Sequence, residues 1–391
     1  MQLHPSFPST FLHLLDIQAM LYCLNFWTLI ISFVAAFTGI FCYYNLQIPV
    51  SFPLVEVSTP HKDVSPHHAS WNTWFHPFRS HAGSSDTDQK KEWDLLYHLG
   101  GIGPWVEKVD GEGISPPEGC SIDQVHLLSR HAERYPTKSA ADRHLSLLKR
   151  LKEANVALNG SLAFINDWTY FSKKLAHLTT EGPYAGILQA FTTGVRFRTR
   201  YGHLLPNNTK TRFWASDSMR VTQTAKYFAS GLFGLDWESN GLAELQVIPE
   251  TFERGTDTLT PGDSCPRYLA DTEFGHPSGV SALILFQETY MPALAKRLEE
   301  HNAEVGPFTN MEVYGMQEMC GFETIARGAS PWCDVFRRED WENFDYARDV
   351  LKYYKAGPGN PYAGAMGWLW LNATTALLRS GPEAGTIFLS L

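Results

Sequence analysis

Val125-His-Leu-Leu-Ser129-Arg130-His131-Ala132-Glu133-Arg134-Tyr135-Pro136-Thr137 is the stretch whose reading decides the fold. Its first half, from about Asp123 to Ser129, is apolar and bounded by Pro/Gly-rich sequence, as a buried strand would be. Its second half sets two arginines around a histidine and closes on Pro136, which breaks regular structure. Ligands of open α/β sheets bind beyond the carboxyl ends of strands, and Arg130, His131 and Arg134 emerge at such an end. Arginine forks bind phosphate bidentately. Fixed cations also lower the pKa of an imidazole, and a neutral ring nitrogen can then attack phosphorus. Alone, Arg-His-x-x-Arg has a plainer reading: a strand end whose arginines pair with surface carboxylates.

A second segment repeats the pattern. Residues 211–216 alternate as a strand, Asp217 or Ser218 can cap the next helix, and Arg220 to Leu232 has helical character. Arg220 thus falls in the first turn of a helix at a strand's carboxyl end, where helix N-terminus and guanidinium both favour an anion. Between the two segments, Ser139–Asn155 and Thr180–Tyr201 read as helices, and Asn166 to Leu178 as irregular and then helical. Val247 to Ser278 reads as loop. Trp341 to Tyr354 and Gly364 to Leu378 read as helices on either side of the turn Gly357-Pro-Gly-Asn-Pro361.

Composition narrows the function. The 391 residues are 44% hydrophobic, and 32 Lys+Arg against 41 Asp+Glu give a formal charge of −9. That excess of acid argues against a nucleic-acid partner, which demands a basic face. Arg196-Phe-Arg198-Thr-Arg200 is the local exception and reads as a solvated helix face. Gly100-Gly101-Ile102-Gly103-Pro104 lacks the flanking strand and helix and the Gly-Lys-Ser/Thr ending of a phosphate loop.

The N-terminal part is of another kind. Residues 20–44 follow a short tail (1–19), carry no charge and are long enough to span a bilayer with tilt. The length and the lack of any Lys or Arg before Lys62 favour an uncleaved signal-anchor over a cleaved signal peptide. Residues 45–91 are rich in Pro, Ser and His without a hydrophobic period and read as a stem. Sequons at Asn159, Asn207 and Asn372 mark candidate glycosylation sites. Cys120, Cys265, Cys320 and Cys333 are widely spaced, which suits disulfides in an oxidising compartment better than zinc. The expected location is a single-pass membrane protein with its folded domain lumenal or extracellular.

Arg130-His131-Ala132-Glu133-Arg134-Tyr135-Pro136 resembles the histidine acid phosphatase signature Arg-His-Gly-x-Arg-x-Pro, and the likeness is to fungal secreted acid phosphatases and phytases. Ala132 stands where the pattern has Gly, a change of little cost unless positive φ or close backbone approach is needed. The resemblance extends over residues 92–391. It implies a phosphoglycerate-mutase-like α/β sheet domain with a helical cap at about 139–205, joined to the one N-terminal transmembrane helix. It further implies acid hydrolysis of small phosphomonoesters, phytate among the candidates, with His131 as nucleophile and phosphohistidine as intermediate. Arg130, Arg134 and Arg220 would hold the phosphate. No metal or organic cofactor is implied. Cys320 and Cys333 match a disulfide loop of the family. Relatives carry the strand that includes Ile387-Phe-Leu-Ser-Leu391 onward into a His-Asp pair supplying the proton donor, so the chain is expected to be incomplete there. The rival expectation is a catalytically impaired membrane glycoprotein that keeps only the phosphate-binding half of the site.

Overall fold

The computed structural model describes residues 93–106, 116–172, 174–206, 209–251 and 258–391. Its sheet has four strands among the described residues, β1 (Val125–Leu128), β2 (Thr211–Ser216), β3 (Ala243–Ile248) and β4 (Ile387–Ser390), in the order β1-β4-β2-β3. All pairings are parallel, with Val125 opposite Ile387, Phe213 opposite Leu389 and Thr211 opposite Ala243. Parallel strands need crossovers, and those connections carry the helices.

The sheet is covered by α3 (Met219–Phe233), and α2 (Gly186–Tyr201) packs against α3 with Phe197 and Tyr201 reaching the same core. Phe213, Ala215, Ile387 and Leu389 pack there against Ala225, Phe228, Ala229 and Leu232. The two helices touch backbone to backbone. A Cβ on Gly194 would lie 2.1 Å from the Phe228 carbonyl oxygen, and one on Gly231 the same distance from that of Phe191.

A second core is helical, built from α1 (Lys138–Glu153), α4 (Ser278–Glu299), α5 (Asn310–Arg327) and α6 (Arg338–Ala356). Helix α5 is apolar or buried all round from Val313 to Ala326, as a central helix must be. Its start is fixed by a capping box: the Thr309 hydroxyl accepts from Glu312 N (3.3 Å), and the Glu312 carboxylate accepts from Thr309 N (2.9 Å). Helix α7 (Ala363–Arg379) follows α6 and buries only Met366.

Several sequence expectations sit differently in the molecule. Of the stretch 139–205 expected as a cap, α1 belongs to the helical core, whereas α2 packs against α3 and joins the sheet's core through Phe197 and Tyr201. The helix expected from Thr180 begins at Gly186, because Gly182 takes a left-handed φ of +79° just before Pro183. The 247–278 stretch holds the end of β3 and two short helices, Pro261–Ser264 and Pro266–Ala270. The tail, the expected membrane span 20–44 and the stem 45–91 lie outside the described residues. Among those described, no helix is long and apolar enough to cross a membrane.

Cys320 and Cys333 are disulfide-bonded, 13 residues apart, and join the middle of α5 to the turn Pro331–Val335. The link is therefore from helix to turn, and not within an irregular loop. Closing a loop of about 14 residues stabilises by roughly 3 kcal/mol in the chain-entropy model. The double variant Cys320→Ser/Cys333→Ser should lose about that much in denaturant unfolding, and non-reducing peptide mapping of the wild type should recover the linked pair.

Candidate active site

The signature leaves the sheet where β1 ends. Ser129 N still donates to Ser390 O (2.9 Å), and the chain then turns away across the carboxyl ends of β1 and β4. Three ties hold the turn. Ala132 N donates to Thr224 Oγ1 (3.0 Å), whose hydroxyl donates to Arg220 O (2.7 Å), so the signature is hung on the first turns of α3. Thr179 N donates to Glu133 O, and Tyr135 N to His177 O. Gly186 permits the first of these last two contacts, since a Cβ there would lie 1.9 Å from Glu133 O. Ala132 is absent from the residues with positive φ, which is why a methyl group is accommodated where the pattern has glycine.

His131 is fixed by its own neighbourhood. Nδ1 lies 2.8 Å from Ala132 O, so Nδ1 carries the proton and donates, leaving the lone pair on Nε2. Burial first, and then Arg130, Arg134 and Arg220, push the imidazole down to a pKa of about 3 despite that hydrogen bond. The ring is therefore neutral, and nucleophilic at Nε2, through the acid range. Arg134 Nε donates toward Nε2 (3.4 Å), its Nη1 donates to Tyr135 O (2.9 Å), and its guanidinium lies over the Phe322 ring at 5.7 Å. Burial and the neighbouring arginines lower Arg134 itself to about 10. Arg130 spends Nη1 on Gly101 O (2.9 Å). Arg220 is in the first turn of α3, with a buried Nε that has no hydrogen-bond partner.

Arg130, His131 and Arg134 line a cavity of about 850 Å³, and Arg220 stands near enough to add to burial in lowering the pKa of both His131 and Arg130. The cavity walls add Arg143 from α1 and Arg348, Lys352 and Lys355 from α6. The buried Glu318 carboxylate balances part of this charge, accepting both 3.0 and 2.8 Å bonds from Arg143 Nη2 and lying 3.7 Å from Arg348 Nη1. Burial pushes that carboxyl up, but His144, Arg143 and Arg348 together outweigh it and hold it low. Burial also raises the carboxyl of Glu133, whose Oε1 accepts from Trp105 N (2.9 Å) while Oε2 is buried without a partner. Lys352 is pushed down to about 8, by burial first and then by Arg348, Arg130, Lys355 and Arg134.

The structure thus brings together all four residues singled out from the sequence, His131, Arg130, Arg134 and Arg220. It adds a cationic wall that no spacing announced, because α6 meets the signature only in the folded chain. A run such as Lys352-Tyr-Tyr-Lys355 on an amphipathic helix reads as a solvated face. No group of His, Cys, Asp and Glu among the described residues could hold a metal ion. Of the sequon asparagines, Asn159 and Asn372 are exposed, and Asn207 lies outside the described residues. Cys120 and Cys265 are free thiols.

The chain is 34% identical over 309 residues to the phytase PHO112 of Candida albicans, covering 77% of this chain and 65% of that protein. It is 34% identical over 303 residues to the acid phosphatase PHO1 of Komagataella pastoris, covering 74% and 61%. The crystal structure of the phytase from D. castellii superposes with a TM-score of 0.70 at 30% identity, over 76% of this chain and 65% of that one. The chain thus spans less than two thirds of the length of these relatives. Residues 121–386, from the approach to β1 to the residue before β4, match the histidine phosphatase superfamily (branch 2), and the chain belongs to that family.

Proposed function

We propose that the protein is an acid phosphatase of the phytase type, hydrolysing phosphomonoesters through a phosphohistidine on His131 Nε2. The observation that carries this reading is the imidazole held neutral by burial and cations, with Nδ1 tied to a carbonyl and Nε2 facing Arg134. Arg130, Arg134 and Arg220 would take the charge of the phosphoryl group as Nε2 attacks, which is electrostatic stabilisation by groups already in place. The Nε2–P bond would form as the ester P–O bond breaks and the alcohol departs with a proton from solvent, and water would then cleave the Nε2–P bond to release inorganic phosphate and restore His131. The matched relatives are named as phosphatases and phytases, which favours turnover over the rival reading of an inactive glycoprotein. Arg143, Arg348, Lys352 and Lys355 line the cavity beyond the signature, and such a wall suits a substrate bearing several phosphates, phytate among them. The same proposal places the domain on the lumenal or extracellular side of a membrane. The Cys320–Cys333 disulfide and the exposed Asn159 and Asn372 support it.

With p-nitrophenyl phosphate, whose leaving anion needs little protonation, His131→Ala should abolish turnover. Rapid quenching of the wild type in alkali should trap an acid-labile, alkali-stable label that the variant does not acquire. Undiminished turnover by His131→Ala would overturn the mechanism. Lys352→Ala should raise KM for phytate by roughly tenfold, the range of a charge-assisted hydrogen bond, while KM for the aryl monophosphate stays within about twofold; equal effects on both would remove the polyphosphate reading.

His131 also makes a stability prediction with a definite sign. Its folded pKa, about 3, lies below the ordinary 6.5 of an unfolded chain, so the unfolded state takes up the proton first as pH falls. The contribution is fully present above pH 6.5 and is lost progressively toward pH 3. His131→Ala, which cannot titrate, should flatten the fall of Tm across that window relative to the wild type.

A further inference from the structure

The glycine-rich turn ahead of the signature has no part in the chemistry above, yet two of the pocket's arginines are bonded to it. Leu99 and Ile102 are buried at its two ends, 1% and 5% exposed, in the helical core, and Ile102 N donates to Leu99 O (3.0 Å). Between them Gly100 and Gly101 take left-handed φ values of +56° and +73°. That conformation turns both carbonyls to guanidinium groups. Gly101 O accepts from Arg130 Nη1 (2.9 Å), and Gly100 O accepts from Arg348 Nε (3.2 Å). Further on, Trp105 N donates to Glu133 Oε1, so the segment is tied to the signature a second time. The space is as restricted as the conformation: a Cβ on Gly100 would lie 2.1 Å from Arg348 Cγ.

We propose that the Gly100–Gly101 turn positions Arg130, its Gly101 carbonyl taking one edge of the guanidinium and aiming the remaining N–H groups at the phosphate. Gly101 is a positioning residue that acts through Arg130, and this rests on the reading that Arg130 binds phosphate. A guanidinium has five donors and no acceptor, so one bond to a fixed carbonyl leaves a fork for the anion. An arginine without that tether must give up rotamer freedom on binding, which weakens affinity. The tether is itself well anchored, because Leu99 and Ile102 cannot leave the core without exposing apolar surface. Glycine is required at position 101 because other residues seldom adopt the left-handed region, asparagine being the most tolerant.

The test is calorimetric titration of the full chain with inorganic phosphate, which needs no turnover. Gly101→Val and Gly101→Asn are each made in the wild-type and in the Arg130→Ala background. Gly101→Val should bind phosphate roughly three- to tenfold more weakly, the span of one lost hydrogen bond, while Gly101→Asn stays within about twofold. In the Arg130→Ala background Gly101→Val should have no further effect, since residues acting as one unit are not additive. Should the valine variant fail to fold, Gly101→Ala, with the smallest side chain, carries the same comparison. Two results would overturn the positioning role while leaving the phosphate site intact: unchanged affinity in Gly101→Val, or the same loss with and without Arg130. A wild-type chain that does not bind phosphate, or an Arg130→Ala chain that binds as the wild type does, would instead overturn the phosphate-site reading and the positioning role with it.

Discussion

The hydrogen bond from His131 Nδ1 to the carbonyl of Ala132 is the contact on which the chemistry of this protein depends. It is short-range, between adjacent residues, and it chooses the tautomer. Arg134 Nε, a donor facing Nε2 at 3.4 Å, favours the same tautomer, because a guanidinium cannot accept from an Nε2–H. The bond to Ala132 favours the charged ring, but burial and the surrounding arginines act more strongly in the opposite direction. A histidine that would ordinarily be a cation in acid is thereby kept as a neutral base.

Packing so many cations into one cavity is unfavourable on its own terms, because each desolvated guanidinium repels the next. The structure answers with buried acceptors instead of distance. Glu318, on the central helix α5, takes both contacts from Arg143 and stands near Arg348, which also donates to Tyr314 Oη. Carbonyls of Gly100, Gly101 and Tyr135 take further N–H groups from Arg348, Arg130 and Arg134. Neutral acceptors of this kind hold a guanidinium in place without cancelling its charge, so the cavity keeps its attraction for an anion. Helix α5 can carry a carboxylate in its core because the ion pairs satisfy it.

The sheet supplies the frame, and its order has a consequence for folding. β1 and β2 flank β4 and do not pair with each other, so the signature strand is joined to the rest of the sheet through residues 387–390, far along the chain. Ser129 itself hangs from Ser390. The frame of the signature thus includes a pairing between residues more than 250 apart in sequence, the non-local kind of contact that is slow to form.

Much of this was determined by local sequence. The strand 125–128, the strand 211–216, the helix that begins beside Arg220 and the helices over 138–153, 338–356 and 363–379 follow from hydrophobic period and from Pro/Gly boundaries, interactions between residues close in the chain. The Arg130-His131-x-x-Arg134 grouping was legible for the same reason: the residues that define it are contiguous, and one strand end delivers them together. Strand β3 and helices α4 and α5 left no comparable signal: β3 is a short strand with only Ala243 buried, and α5 is buried on every side while carrying Gln317, Glu318 and Glu323, so neither shows a clean apolar period. Only the tertiary structure decided that α2 would pair with α3 through Gly194 and Gly231. It alone decided that α6 would bring Arg348, Lys352 and Lys355 to a histidine more than two hundred residues away, and that Glu318 would meet Arg143. Period and spacing report the forces within one element; the neighbours of a charged side chain, and so its charge state and its partner, are set by which elements pack together.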